Sequence, residues 1–283
     1  MGIRNIRARK VTETVARLCQ GANYFLPDDV IKALEKAHKT EESPLGRQTL
    51  GQILANAQLA REEEMAICQD CGVVVVYLEM GQDVHITGGD LYEAVNEGVS
   101  QGYVKGCLRK SMVSQPYSTR VNTQDNTPAV IHTDIVPGDK LKITLVPKGG
   151  GSENMSRLFM LTPGEGRQGV IDVVLRAIDE AGSNSCPPVI VGVGIGGTAE
   201  KAMGLAKKAT MRMIGTANHN RENAKLEKEL LKRVNALGIG PEGFGGRITA
   251  LAVHIETFPA HIASLPIAVS LQCHAARQKE ALL

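Results

Sequence analysis

Apolar positions change period several times along the chain, and each change marks an element. Val11, Val15 and Leu18 keep the three-to-four spacing of a helix. The segment LPDDVIKALEKAH starts after a proline, places two acids in its first turn and aligns Val30, Ile31, Leu34 and Ala37 on one face, which predicts a second helix. A third helical pattern runs through GRQTLGQILANAQLAREEEM to Met65. At ICQDCGVVVVYLEMG the period changes. Val73 to Leu78 is an unbroken, β-branched-rich run bounded by glycines, as expected of a strand buried on both faces.

Helical spacing returns from Asp90 to about Arg109, and KLKITLVP (140–147) alternates as a strand does. After a KGGGS cluster, GRQGVIDVVLRAIDEAG predicts a helix, PPVIVGVGIGG a strand with a Gly-rich turn, and TAEKAMGLAKKATMRM another helix. Leu226, Leu230, Val234 and Leu237 form one stripe that Gly238 is placed to end. ITALAVHIETF and LPIAVSLQC are both strand-like. Helices alternating with buried strands predict a mixed α/β fold: a helical N-terminal segment over 1–65, then an α/β body with a mixed sheet over 66–283. No internal repeat or low-complexity linker interrupts it.

Composition narrows the function. With 43% apolar and 22% charged residues, the 283-residue chain is built to bury a core. Thirty glycines and no tryptophan leave that core to Val, Ile, Leu and Ala. The net charge of +2 predicts no nucleic-acid surface, and no apolar run reaches the roughly 20 residues of a membrane span. The start, MGIRNIRARKVTETV, is basic without an apolar core segment, so a cytoplasmic chain is expected. Six cysteines are too sparse for a disulfide scaffold, and any special one is expected to bind metal or to react.

Several motifs carry candidate chemistry. Cys68-Gln-Asp-Cys71 has the spacing of a redox pair or half a zinc site, yet it precedes a strand and has no second pair to complete it. Asp70 places a carboxylate beside a potential metal thiolate, suited to proton transfer. Gly192, Gly194 and Gly197 satisfy G-x-G-x-x-G, but the acid expected about 20 residues later is missing. Tight strand-to-helix packing accounts for these glycines better than a nicotinamide site does. KGGGS (148–152) is either an anion nest or a plain turn. Cys186 in SCPP, taken alone, is a core thiol at the mouth of a strand. His254 lies in an apolar strand pattern and is expected in the core. His261, in the loop FPAHIASLP, is a candidate substrate contact.

As an ordered set, ICQDCG, NTQDNTPA, KGGGSEN, SCPPVIVGVGIGGTAEKA and HIETFPAHIASLPIAVSLQC resemble the iron–sulfur domain of class I fumarate hydratases. The likeness is stronger to the α subunit of the two-subunit form and runs from about residue 10 to the C-terminus. The related tartrate dehydratase α subunit shares much of the pattern, including CPPVIVGVGI. The resemblance implies a [4Fe-4S] cluster held by Cys68, Cys186 and Cys273, with one iron open to substrate. Cys71 stands where the family has Thr in C-Q-D-T-G, so Cys68 is taken as the ligand and Cys71 as a small filler.

By the same resemblance, Asp70 moves the hydroxyl or water proton, and Gln69, Arg109, Gly151 and His261 contact a four-carbon dicarboxylate. Arg109 suits a substrate carboxylate, because its guanidinium forms a bidentate fork. The family takes its carbon base and further cations from a second domain, expected here on a β subunit in an α2β2 assembly. The implied activity is the reversible hydration of fumarate to L-malate, a tricarboxylic acid cycle step by an oxygen-sensitive hydro-lyase. Dehydration of L-tartrate to oxaloacetate is the alternative. A zinc or redox protein built on Cys68 and Cys71, or a nucleotide binder built on the glycine fingerprint, is the rival from another class.

Overall fold

The computed structural model describes residues 2–283. In chain order the first elements are β1 (Arg4–Arg7), α1 (Ala8–Tyr24), α2 (Asp28–Thr40), α3 (Pro44–Glu62), β2 (Val73–Gly81) and β3 (Val84–Thr87). There follow α4 (Leu91–Lys105), β4 (Val130–Val136), β5 (Leu141–Lys148), α5 (Gly150–Glu153), β6 (Arg157–Leu161) and α6 (Gly166–Ala181). The last are β7 (Val189–Gly196), α7 (Ala199–Ala209), α8 (Arg221–Asn235), β8 (Ala250–Phe258), β9 (Leu265–Gln272) and β10 (Lys279–Leu282). The fold is mixed α/β, as expected.

Local chemistry explains where helices start and stop. Asp90 caps α4 by accepting the Tyr92 and Glu93 N–H groups, and Asn220 does the same for α8 with Glu222 and Asn223. Asp28 and Asp29 open α2 while His38 and Lys39 close it, matching the helix dipole at both ends. Two expected ends move. Helix α4 stops at Lys105 because the chain turns through Gly106 and a left-handed Cys107 (φ 50°), so Arg109 lies beyond the helix. Helix α8 stops at Asn235, and Gly238 (φ 73°) sits in the turn that follows.

The chain forms two compact units. The first holds residues up to Leu26, Ala57–Gly150 and Arg277–Leu283. Its main sheet has the order β10-β5-β2-β4, with β2 antiparallel to β5 and parallel to β4. A parallel β1–β3 pair stands apart from it. Val76 lies opposite Leu145 and Leu78 opposite Ile143, and these side chains share a core with Val11, Val15, Val95 and Val99 from α1 and α4. The two helices pack closely because two residues between them lack a side chain. A Cβ at Gly98 would fall 2.7 Å from the Thr12 carbonyl oxygen, and one at Gly102 would fall 2.7 Å from Cys19 Cβ.

The second unit holds Pro27–Asn56 and Gly151–Ala276, with the sheet order β6-β9-β7-β8. Strand β7 is parallel to β8 and antiparallel to β9. Helices α6 and α8 contribute Val170, Val174, Leu230 and Val234 to a core with Val191, Val193 and Ile255. Helix α7 packs through Ala202 and Ala206. Gly192 and Gly194 make that packing possible, since a Cβ at either would lie 2.0 Å from a carbonyl oxygen of α7. The glycine fingerprint is thus a strand-to-helix packing device. Among the described residues, no helix is long and apolar enough to cross a membrane.

Candidate active site

In the first unit, Cys68, Gln69, Asp70 and Cys71 form the loop between α3 and β2. Hydrogen bonds from distant residues hold it. Arg277, 1% exposed, donates from Nη1 to the Asp70 carbonyl at 2.6 Å and to Asn23 Oδ1 at 3.1 Å. Tyr103 donates its hydroxyl to the Cys71 carbonyl at 2.6 Å. Buried Asn126 donates to the Gly72 carbonyl and accepts the Ser111 N–H. Gly72 has φ 75°, and a Cβ there would meet the Lys148 backbone at 2.7 Å, so the turn into β2 needs glycine.

The Asp70 carboxylate bridges two backbone segments. Oδ1 accepts the Gly72 N–H at 2.9 Å, and Oδ2 accepts the Gly150 N–H at 2.7 Å. The carboxylate therefore holds the glycine loop against the CQDC loop, while each oxygen keeps a second lone pair. A Cβ at Gly149 would lie 3.3 Å from both Asp70 Oδ2 and Arg277 Nη2, so a side chain there would crowd both groups. Gln69 and Arg109 are exposed and Cys68 is half-buried. The Cys68 sulfur accepts the Asp70 N–H at 3.4 Å. Cys71 is 1% exposed, and its sulfur accepts the Arg109 N–H at 3.2 Å. Burial pushes the Cys71 thiol above its usual range, against the opposing pull of that N–H and of the Arg277 charge.

In the second unit, Cys186 follows a short 3₁₀ turn (Gly182–Ser185) in a left-handed conformation, φ 53° and ψ 66°. Cys273 directly follows β9 and is buried. Its neighbour His274 reaches Cys186: both the His274 N–H and ring Nδ1 approach the Cys186 carbonyl oxygen, at 3.3 and 3.2 Å. The two thiol-bearing segments are therefore adjacent in this unit. Gly151 packs on the turn before Cys186, where a Cβ would lie 3.0 Å from the Asn184 carbonyl oxygen. His261 sits exposed between β8 and β9, its Nδ1 accepting the Ala263 N–H at 3.1 Å. His254 is a core residue. It is 3% exposed, with Nδ1 at 3.2 Å from the Ala209 carbonyl, and burial with the nearby Arg212 charge lowers its pKa.

None of the six cysteines forms a disulfide. Cys68, Cys186 and Cys273 thus supply thiol sulfur, a donor set suited to a soft metal or an iron–sulfur group. Among the described residues, no group of three or more His, Cys, Asp or Glu side chains is gathered for a metal ion. Cys68 belongs to the first unit, and Cys186 and Cys273 to the second. Arg277, His274 and Glu242, which support these loops, were not singled out in the sequence. Their one signal is position, since His274 and Arg277 follow Cys273 closely in CHAAR.

A family model described as Fumarate hydratase (Fumerase) matches residues 12–282. A Methanocaldococcus jannaschii protein provisionally named L(+)-tartrate dehydratase subunit alpha is 42% identical over 275 residues, covering 95% of this chain and 96% of that one. The L(+)-tartrate dehydratase subunit alpha of Escherichia coli K12 is 34% identical over 271 residues, covering 95% and 89%.

Proposed function

Because the chain belongs to the fumarate hydratase family, we propose that it is the α subunit of an iron–sulfur hydro-lyase acting on L-tartrate. The observation that carries the choice of substrate is its likeness, over nearly their whole length, to α subunits named for tartrate. Malate and tartrate are built on the same four-carbon diacid and differ by a single hydroxyl, so the two readings call for nearly the same site. Reversible fumarate hydration is the second reading, favoured by the description of the matching family.

In the proposed reaction, L-tartrate loses a hydroxyl and the hydrogen of the adjacent carbon as water. The enol of oxaloacetate remains and tautomerises to the ketone. Cys68, Cys186 and Cys273 would hold a [4Fe-4S] cluster, which when bound would supply the Lewis acidity that makes hydroxide a tolerable leaving group. Asp70, whose carboxylate accepts two backbone N–H groups, would take the hydroxyl proton on a remaining lone pair. Arg109 has an exposed guanidinium for a substrate carboxylate, with Gln69, Gly151 and His261 as further contacts. The base for the carbon-bound hydrogen and further cations are assigned to a β subunit in an α2β2 enzyme.

The test is an anaerobic assay of this chain co-expressed with its partner on tartrate, malate and fumarate in parallel. Oxaloacetate from tartrate is the expected result. Turnover of fumarate and malate alone would establish the second reading. A chain without iron and without activity on all three would overturn both.

A further inference from the structure

Cys186 is a residue with a side chain in the left-handed region, a conformation that neighbours must hold in place. Its N–H donates to the Ser183 carbonyl at 3.0 Å, closing the turn from one side. On the other side the Cys186 carbonyl meets two groups of one residue, the His274 N–H and Nδ1. The next carbonyl, of Pro187, accepts the Glu242 N–H at 2.8 Å. Glu242 Oε1 lies 2.9 Å from His274 Nδ1 and is buried, without an aligned hydrogen bond of its own. A ring of contacts thus runs from Cys186 through His274 and Glu242 to Pro187. Two oxygens, the Cys186 carbonyl and the Glu242 carboxylate, face Nδ1, an arrangement that suits an N–H at that position. Glu242 is itself left-handed (φ 51°), and a Cβ at the following Gly243 would lie 2.4 Å from Ser183 Cβ, so this loop is wedged against the Cys186 turn.

We propose that His274, oriented by Glu242, is a positioning residue that fixes the turn of Cys186 beside Cys273, so that both thiols face one shared metal group. The inference rests on the cluster reading and deepens it. The atom that matters is Nδ1, bonded directly to Cγ of the ring. Asparagine carries an amide N–H at the equivalent distance from its backbone, whereas glutamine carries it one carbon further out.

The test uses the full chain, loaded anaerobically with iron and sulfide, as wild type and as His274→Asn, His274→Gln, His274→Ala and Glu242→Gln. Readouts are iron and sulfide per chain, the electron paramagnetic resonance line shape after one-electron oxidation, and the thermal midpoint of the iron-free chain. His274→Asn should keep the iron content and line shape. His274→Gln and His274→Ala should weaken iron retention by about 10- to 100-fold, the range for residues that orient metal ligands, with an unchanged thermal midpoint. Glu242→Gln should alter the line shape while keeping iron. Equal iron retention and identical spectra in all five chains would overturn the inference and leave the cluster reading standing. Loss of iron in every variant alongside a lowered midpoint would overturn it in favour of a purely structural role. A wild-type chain that takes up no iron would overturn the cluster reading and this inference with it.

Discussion

Replacing Asp70 with asparagine separates two jobs done by one carboxylate. Oδ1 holds Gly72 at the buried start of β2, and Oδ2 holds Gly150 on the exposed glycine loop. An amide keeps one acceptor and turns the other into an NH2 group facing an N–H. Asparagine should keep its oxygen toward buried Gly72, where an unpaired donor costs most, and release Gly150. A hydrogen bond to a charged acceptor is worth about 1.5–3 kcal/mol, so opening of the glycine loop should become roughly 10- to 100-fold more frequent. Loss of the proton-transfer group should lower turnover by a further factor of about 10²–10⁴. Two assays resolve the two effects: anaerobic kcat of the partnered chain, and amide hydrogen exchange across Gly150–Glu153, with iron content as the control. Faster exchange with normal turnover would refute the proton-transfer role. Lost turnover with unchanged exchange would refute the clamp. Wild-type values in both would sink both assignments.

Other substitutions probe the remaining assignments. Arg109→Lys keeps the charge and loses the planar fork, so KM should rise about tenfold with little change in kcat; an equal loss in kcat would contradict a binding role. Cys68→Ser, Cys186→Ser and Cys273→Ser should each deplete iron, whereas Cys19→Ser, Cys107→Ser and Cys71→Thr should retain it. Iron kept in Cys68→Ser but lost in Cys71→Thr would reverse the ligand choice. Glu41 is buried and accepts N–H groups from Ser43, Arg247 and Ile248. Burial raises its pKa, but those N–H groups outweigh burial and lower it overall. Glu41→Gln should therefore cost about 2–5 kcal/mol near neutral pH, since one or two buried donors lose their acceptor. A lowered folded pKa means the stabilisation is present above the ordinary glutamate value of about 4.3 and disappears as pH falls through the folded one. Urea midpoints of the two chains should therefore converge on acidification, and a widening gap would refute the assignment.

Strand β2 was legible because burial on both faces leaves an unbroken apolar run, and α2 because charge and stripe agree. Strands β4 and β10 were not. VIHTDIV lies at a sheet edge with Val130 and Ile135 exposed, and KEAL is four residues long, so neither leaves a clear periodicity. At the candidate site, the sequence offers candidate residues but not the geometry that joins them. Asp70 meets Gly150 across 80 residues and Arg277 meets Asp70 across 207, separations that no local pattern encodes. His274 and Glu242 act on the backbone of Cys186 and Pro187 rather than on a side chain, and such contacts leave no pairing signal in a single sequence.

The composition of the first unit also dictates an order of events during synthesis. Its sheet ends in β10, where Leu283 and Leu141 exchange two backbone hydrogen bonds, and its CQDC loop is anchored by Arg277. Neither piece exists on a nascent chain until residues 277–283 have emerged, although α1, β2 and β5 were made long before. The second unit has all its strands once Ala276 is translated. Domains usually mature from the N-terminal side during synthesis, but here the unit that starts the chain finishes last. Until then β5 presents an unpaired edge and Asp70 lacks its anchoring arginine. A nascent chain stalled before Arg277 should therefore carry a finished second unit beside a protease-sensitive first one.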